Sequence, residues 1–245
     1  MIKLFIVLVL MTYSFLTFSY SVMPENDLWK EDHIWKSDSN LDEAMFNKII
    51  DLGKEIYDPV AESYNETLTI NKKWDNPTVN ANMSRWWNVT INMYGGLARR
   101  PEINPEAFAL VLCHELGHAY GGNPYLRPWS KISAEGQADY YGAKECLNKI
   151  TSKLNLEGYT FDLTDYMLDT CEGRDSCVRG LSAGQSLGHL LSVIKEQPIP
   201  NYETPDETIV DKTKLSYPNT VQCRLDTYHN GVLNKTRPRC WYKPE

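Results

Sequence analysis

Apolar and polar residues alternate at helical spacing over large parts of the chain. Between residues 41 and 56, apolar side chains recur at i, i+3 and i+4, after the turn-forming letters "SDSN" and before Pro59. Helical signals return from Asn104 to about Leu154, and again from about Leu181 to Lys195. The pattern predicts several helices, the first of which ends before Pro59.

A zone with the two-residue period of β-strands lies between these helices. It comprises "ETLTINKKW" and "NANMSRWWNVTINMYGG", in which Val89, Ile91 and Met93 share one face. Beyond Glu196 the chain is rich in Pro, Thr and Asp, which predicts extended loops with little regular structure. We therefore expect an α+β domain with a small sheet and an irregular C-terminal segment.

The N-terminus has the pattern of a secretory signal peptide. A short basic start, "MIK", precedes the apolar run "LFIVLVLMTYSFLTF", and small residues follow at Ser19 and Ser21. This predicts a signal peptide over residues 1–21, cut near Ser21 or Val22. An uncleaved membrane anchor is the alternative, although the run is shorter than the ~20 apolar residues of a comfortable span. We expect residues 22–245 to form one secreted or periplasmic domain with no stable membrane span.

Composition narrows the possible partners. The chain has 245 residues, a net charge of −7 and no basic run that would meet phosphates, which argues against nucleic acid as a partner.

Its six cysteines fit an oxidising compartment, and the sequence alone allows 15 pairings. The favoured bond joins Cys223 to Cys240, while Cys171 can pair with Cys177 or with Cys146.

The strongest helix signal covers residues 105–120. Asn104 can cap the helix, Pro105 suits its first position, and Gly121-Gly122 marks its end. Cys113 lies inside this apolar helix and is expected to be a buried free thiol.

The same helix contains the letters "HELGH". His114 and His118 are four residues apart, so their side chains share one helix face and can bind one Zn²⁺. Glu115 then faces a water molecule rather than the ion, as the general base does in the H-E-x-x-H arrangement.

A catalytic zinc needs a third protein ligand. Pro124 occupies the position at which a third histidine would follow the motif, which rules out a histidine there as the third ligand. In the next predicted helix, capped by Ser133, Glu135 can reach the ion, and Asp139 can hold a ligand histidine by its other nitrogen. The competing interpretation of these carboxylates is a helix N-terminus that favours negative charge.

"HELGH" followed by "EGQAD" resembles the gluzincin metallopeptidases, most closely the HtpX-like, BepA-like and CAAX-prenyl-protease-like zinc endopeptidases. The resemblance implies a zincin-like α+β fold with a small mixed sheet, an exposed edge strand, and two helices that carry H-E-x-x-H and E-x-x-x-D. It also implies the residue roles, with His114, His118 and Glu135 as zinc ligands, Glu115 as base, and Asp139 orienting a ligand histidine.

The resemblance continues weakly near the C-terminus. Such relatives carry a His-Pro pair and then an arginine, where this chain has Tyr217-Pro218 and then Arg224. Tyr217 either donates a hydrogen bond to the oxyanion or is a turn residue before proline. Arg224 either anchors the tail near the site or assists substrate binding.

These features predict a secreted zinc metalloendopeptidase. Its polypeptide substrate is expected as an added strand along the sheet edge near Asn88–Gly95. Two alternatives stay open: a non-enzymatic zinc-binding or interaction module on the same scaffold, and a zinc amidase that acts on cell-wall peptides. Residues 22–40 could also cover the site as a propeptide.

Overall fold

The computed structural model describes residues 20–30, 41–127, 129–157, 159, 161 and 163–244. The predicted signal peptide falls almost entirely on residues 1–19, which lie outside the described residues. Among the described residues, no helix combines the length and the apolar character needed to cross a bilayer.

The described chain has an α+β architecture, as the sequence pattern predicts. Its strands are β1 Tyr20–Ser21, β2 Leu68–Lys73, β3 Ala81–Arg85 and β4 Val89–Tyr94. Its helices are α1 Glu43–Ser63, α2 Gly95–Ala98, α3 Pro105–Tyr120, α4 Glu135–Tyr141, α5 Leu147–Thr151, α6 Asp165–Cys171, α7 Asp175–Lys195 and α8 Val221–Val232. A 3-10 turn covers Leu28–Lys30, and a π-helical turn at Gly142–Cys146 joins α4 to α5.

The sheet is small and mixed, with the strand order β1-β3-β4-β2. Strands β1 and β4 flank β3 in antiparallel pairing, whereas β2 runs parallel to β4. Val89, Ile91 and Met93 are fully buried, which confirms the predicted inner face. The expected docking edge at Asn88–Gly95 is wrong, because β4 is hydrogen-bonded on both sides and cannot accept another strand.

Helix α3 is the central element of the core. The side chain of Asn104 accepts a hydrogen bond from the Ala107 amide, as the predicted cap requires. Every residue of α3 is buried, and the helix contacts α1, α4, α7 and β3. Polar side chains on α3 are therefore held away from bulk water.

Two element predictions are wrong. Helix α1 continues through Pro59 to Ser63, because the proline ring is exposed while Tyr57 and Ala61 on either side of it are buried in the core. The segment after Glu196 is not all loop, since it contains α8. In α8 polar residues are buried among the apolar ones, so the usual amphipathic pattern does not appear in the sequence.

Three disulfides link the six cysteines. The predicted Cys223–Cys240 bond is confirmed, and Cys171 pairs with Cys177. The expectation of a free Cys113 is wrong, because the π-helical turn brings Cys146 against α3 with a Cα–Cα distance of 5.5 Å. Bonds of this kind are typical of proteins from oxidising compartments.

Candidate metal centre

Two histidines on α3 face the same point, and neighbouring groups fix their ring orientation. Nδ1 of His114 lies 2.7 Å from Oδ1 of Asp139, and Nδ1 of His118 lies 2.8 Å from the carbonyl oxygen of Ser133. A carbonyl oxygen can only accept, so Nδ1 of His118 carries the proton. In each neutral ring, Nε2 is then the atom with a lone pair available for a metal.

Glu135, the first residue of α4, brings a carboxylate to the two rings. Its Oε2 lies 3.4 Å from Nε2 of His114, and its Oε1 lies 3.6 Å from Nε2 of His118. All three side chains are buried, and one ligand atom from each lies within 4.8 Å of the others. The three residues could therefore hold a metal ion.

Small residues allow α3 and α4 to approach this closely. A Cβ at Gly117, the glycine of "HELGH", would lie 2.6 Å from the carbonyl oxygen of Ala138. Ala134 is the N-cap of α4, so the predicted cap at Ser133 is wrong. Ser133 uses its hydroxyl to bind the Gly122 carbonyl, which positions its own carbonyl for His118.

Asp139 is a buried hub behind His114. Besides the imidazole, its carboxylate accepts hydrogen bonds from Nε and Nη2 of Arg224, at 2.8 and 2.7 Å, and from the Tyr228 hydroxyl at 2.9 Å. Burial alone would raise the pKa of Asp139, but Arg224 and His114 outweigh it and lower that pKa. The carboxylate thus stays charged and can hold His114 in one orientation.

The charges within the cluster stabilise one another. Burial opposes the charge on Glu135, yet His118 and His114 lower its pKa to about 2. Burial likewise lowers the pKa of His114, but Asp139 and Glu135 outweigh it, so that pKa is raised. The Glu135 carboxylate is therefore charged at neutral pH and can offer an anionic oxygen to a metal ion.

Glu115 is fully buried and lies outside the set of three ligands. Its Oε1 accepts a hydrogen bond of 3.1 Å from the amide of Val22, while Oε2 has no hydrogen-bond partner among the described residues. Burial raises the pKa of Glu115 to about 8, against a lowering effect from nearby His118. A carboxyl group in this setting can exchange a proton with a reacting group beside the cluster.

Tyr217 and Arg224 both reach the same region, and both contact the N-terminal segment. The Tyr217 hydroxyl donates to the carbonyl oxygen of Ser21, and Nη1 of Arg224 donates to that of Val22 at 2.7 Å. Burial raises the pKa of Tyr217, so its hydroxyl remains a proton donor. Sequence reasoning missed the contacts of Ser21, Val22 and Tyr228, because no local pattern links them to the motif.

The chemistry of the donor atoms suits zinc. Nε2 of His114 and Oε2 of Glu135 are buried polar atoms without a hydrogen-bond partner among the described residues. Such atoms are costly unless something binds them. Two imidazoles and one carboxylate are a ligand set that leaves zinc an open position.

Comparison with known proteins assigns no family or function to the chain. No protein-family model, curated protein or solved structure shows a significant match to this chain.

Proposed function

We propose that this chain is a zinc-dependent metalloendopeptidase of the gluzincin type. The observation that supports this most directly is the convergence of His114, His118 and Glu135. Glu115 follows His114 directly in α3. A bound zinc with an open position polarises a carbonyl group and lowers the pKa of water. The residues around it would supply proton transfer, orientation and charge stabilisation.

Glu115, in its carboxylate form, would accept the proton of the attacking water and then deliver it to the amine that leaves. Its buried carboxyl, with one oxygen free of hydrogen bonds among the described residues, supports this role. Tyr217 would donate a hydrogen bond to the scissile carbonyl oxygen as negative charge develops there. Asp139 is a positioning residue, since it acts through His114.

The charged pair of Asp139 and Arg224 would support the site from behind. Arg224 neutralises the carboxylate and also offers Nη1 to a peptide carbonyl in front of it. A peptide substrate would thus meet a hydrogen-bond donor on each side of the bond to be cut. That arrangement favours hydrolysis of a backbone amide.

The non-enzymatic alternative has less support. Structural zinc sites are usually closed and rich in thiolates. Here all six cysteines form disulfides, and the candidate ligands are two imidazoles and a carboxylate. The disulfides also favour the proposed secreted or periplasmic location.

Hydrolysis of unfolded casein tests the proposal. The wild-type protein should hydrolyse casein, lose that activity with a chelator, and regain it with zinc. Glu115→Gln should keep its zinc and lose about 10²–10⁴-fold in rate, the usual contribution of a general base. Glu62→Gln, at an exposed position of α1, is the matched control and should retain full activity.

Cell-wall peptide fragments, assayed beside casein, test the amidase alternative with the same variants. Hydrolysis of the fragments alone would favour an amidase. Zinc binding without hydrolysis of either substrate would contradict both enzymatic functions.

A further inference from the structure

The N-terminal segment Tyr20–Met23, called here the leading strand, lies along the edge of the sheet beside the metal centre. It runs antiparallel to β3, with Ser21 opposite Asn82. The Val22 amide donates to the Ala81 carbonyl at 3.3 Å, which continues the ladder. An extended peptide thus lies along the edge of β3, whereas the sequence predicted that such a peptide would lie along β4.

The polar groups around the Ser21–Val22 peptide bond are held by the residues proposed for catalysis. The Ser21 carbonyl accepts a hydrogen bond from Tyr217, and the Val22 amide donates one to Oε1 of Glu115 at 3.1 Å. The next carbonyl, that of Val22, accepts from Arg224 at 2.7 Å. Hydrolysis needs a hydrogen-bond donor at the carbonyl oxygen and a group that carries a proton to the nitrogen. Tyr217 and Glu115 lie at these two positions.

The residues after the bond are also enclosed. Val22 is 0% exposed and Met23 is 1% exposed. The amide of Met23 donates to the Asn80 side chain at 3.1 Å, and Asn80 donates in return to the Met23 carbonyl. An apolar side chain directly after the bond is therefore held in a buried pocket, with the backbone anchored beyond it.

A strand that served only to complete the sheet would need no contact with Glu115, Tyr217 or Arg224. Pairing with β3 already provides an acceptor for the Val22 amide, yet that amide is shared with Glu115. Three side chains from α3, α8 and the loop before α8 converge on two consecutive peptide units. A peptide bound as a substrate would make the same contacts.

We infer that the Ser21–Val22 bond is a substrate of this site, and that the chain cuts itself there. The inference rests on the proposed function. Water adds to the carbonyl carbon of Ser21, and the C–N bond to Val22 breaks. Glu115 carries a proton from the water to the nitrogen, so Ser21 ends in a carboxylate and Val22 begins with an amine. No reactant other than water is consumed.

Synthesis of the full chain without membranes provides the test, because a leader peptidase in the cell could cut near the same bond. The chain is made under oxidising conditions with zinc, and its N-terminus is determined by mass spectrometry. The wild-type chain should begin at Val22, with a rate constant that does not depend on dilution. Glu115→Gln should keep the residues before Val22, with cutting slowed by about 10²–10⁴-fold.

Val22→Asp separates this inference from the proposed function. A carboxylate in the buried pocket displaces the leading strand, so this variant should remain uncut and hydrolyse casein. If Val22→Asp hydrolyses casein while the wild-type chain stays uncut, self-cleavage is wrong and the proposed function stands. If neither chain hydrolyses casein and the wild type stays uncut, both are wrong. Cutting of Glu115→Gln at the wild-type rate would also overturn self-cleavage.

A cross-link tests whether the strand is seated, independently of cutting. In the Glu115→Gln background, Ser21→Cys with Asn82→Cys should form a disulfide, because antiparallel partners are within disulfide range. Ser21→Cys with Ser84→Cys is the matched control, since Ser84 lies two residues further along β3 and should cross-link far less. Equal cross-linking of both pairs would contradict the register on which the inference depends.

Discussion

The carboxylate of Asp139 lies 2.7 Å from Nδ1 of His114, inside the protein and behind the candidate metal centre. This contact fixes which nitrogen of His114 faces the cluster. Asp139→Asn removes the negative charge from that partner, so we expect zinc affinity to fall by about 10–100-fold. Competition with a chromophoric chelator measures the affinity. The exposed Asp211→Asn is the control, and equal affinity of both variants would remove Asp139 from its positioning role.

Arg224 is 1% exposed and pairs with the fully buried Asp139. Arg224→Met leaves a buried carboxylate without its cation, and we expect the free energy of unfolding to fall by about 3–5 kcal/mol. Urea denaturation measures this change. Lys153 also pairs with a carboxylate, that of Glu55, but both side chains are largely exposed. Lys153→Met should cost no more than about 1 kcal/mol, and equal losses would contradict the argument from burial.

The disulfides should differ in their contribution to stability. Cys113–Cys146 closes a loop with a sequence separation of 33, whereas Cys171–Cys177 spans only 6. Chain entropy predicts losses of about 4 kcal/mol and about 2 kcal/mol when each pair is replaced by alanine. Thermal unfolding of the two double variants checks the order. A larger loss from the short loop would show that packing, rather than entropy, decides the difference.

Glu106, in the first turn of α3, is buried and contacts Arg179. Burial raises its pKa from 4.5 to about 7, although Arg179 acts in the opposite direction. A raised pKa of an acid means that its stabilising contribution is complete below pH 4.5 and is lost as the pH rises through 7. The unfolding free energy of the wild type should therefore fall relative to Glu106→Gln across this window. Parallel pH profiles of the two proteins would contradict the raised pKa.

Local signals predicted the part of the fold that carries the candidate centre. Asn104, Pro105 and the glycines after Tyr120 define α3 through caps and backbone preferences, so its bounds could be predicted from neighbouring residues. The four-residue spacing of His114 and His118 then fixed their common face. These features depend on short stretches of chain and do not require knowledge of the tertiary fold.

Long-range features could not be predicted in this way. The Cys113–Cys146 bond depends on how the π-helical turn packs on α3, and the position of the sheet edge depends on which strand lies between its neighbours. The helix around Arg224 was missed because its buried face carries the polar groups that support Asp139. The contacts of the leading strand join residues about 90 to 200 positions apart in the chain, so no sequence pattern marks them.

The zinc content of Glu135→Ala, compared with the wild-type protein after dialysis, tests the central claim most directly. We predict about one zinc ion per wild-type chain, and a loss of nearly all of it when the carboxylate is removed. Glu145→Ala, an exposed position in the π-helical turn, should keep the wild-type content. Equal zinc in Glu135→Ala and in the wild type, or no zinc in either, would contradict the claim that the two imidazoles and this carboxylate bind one ion.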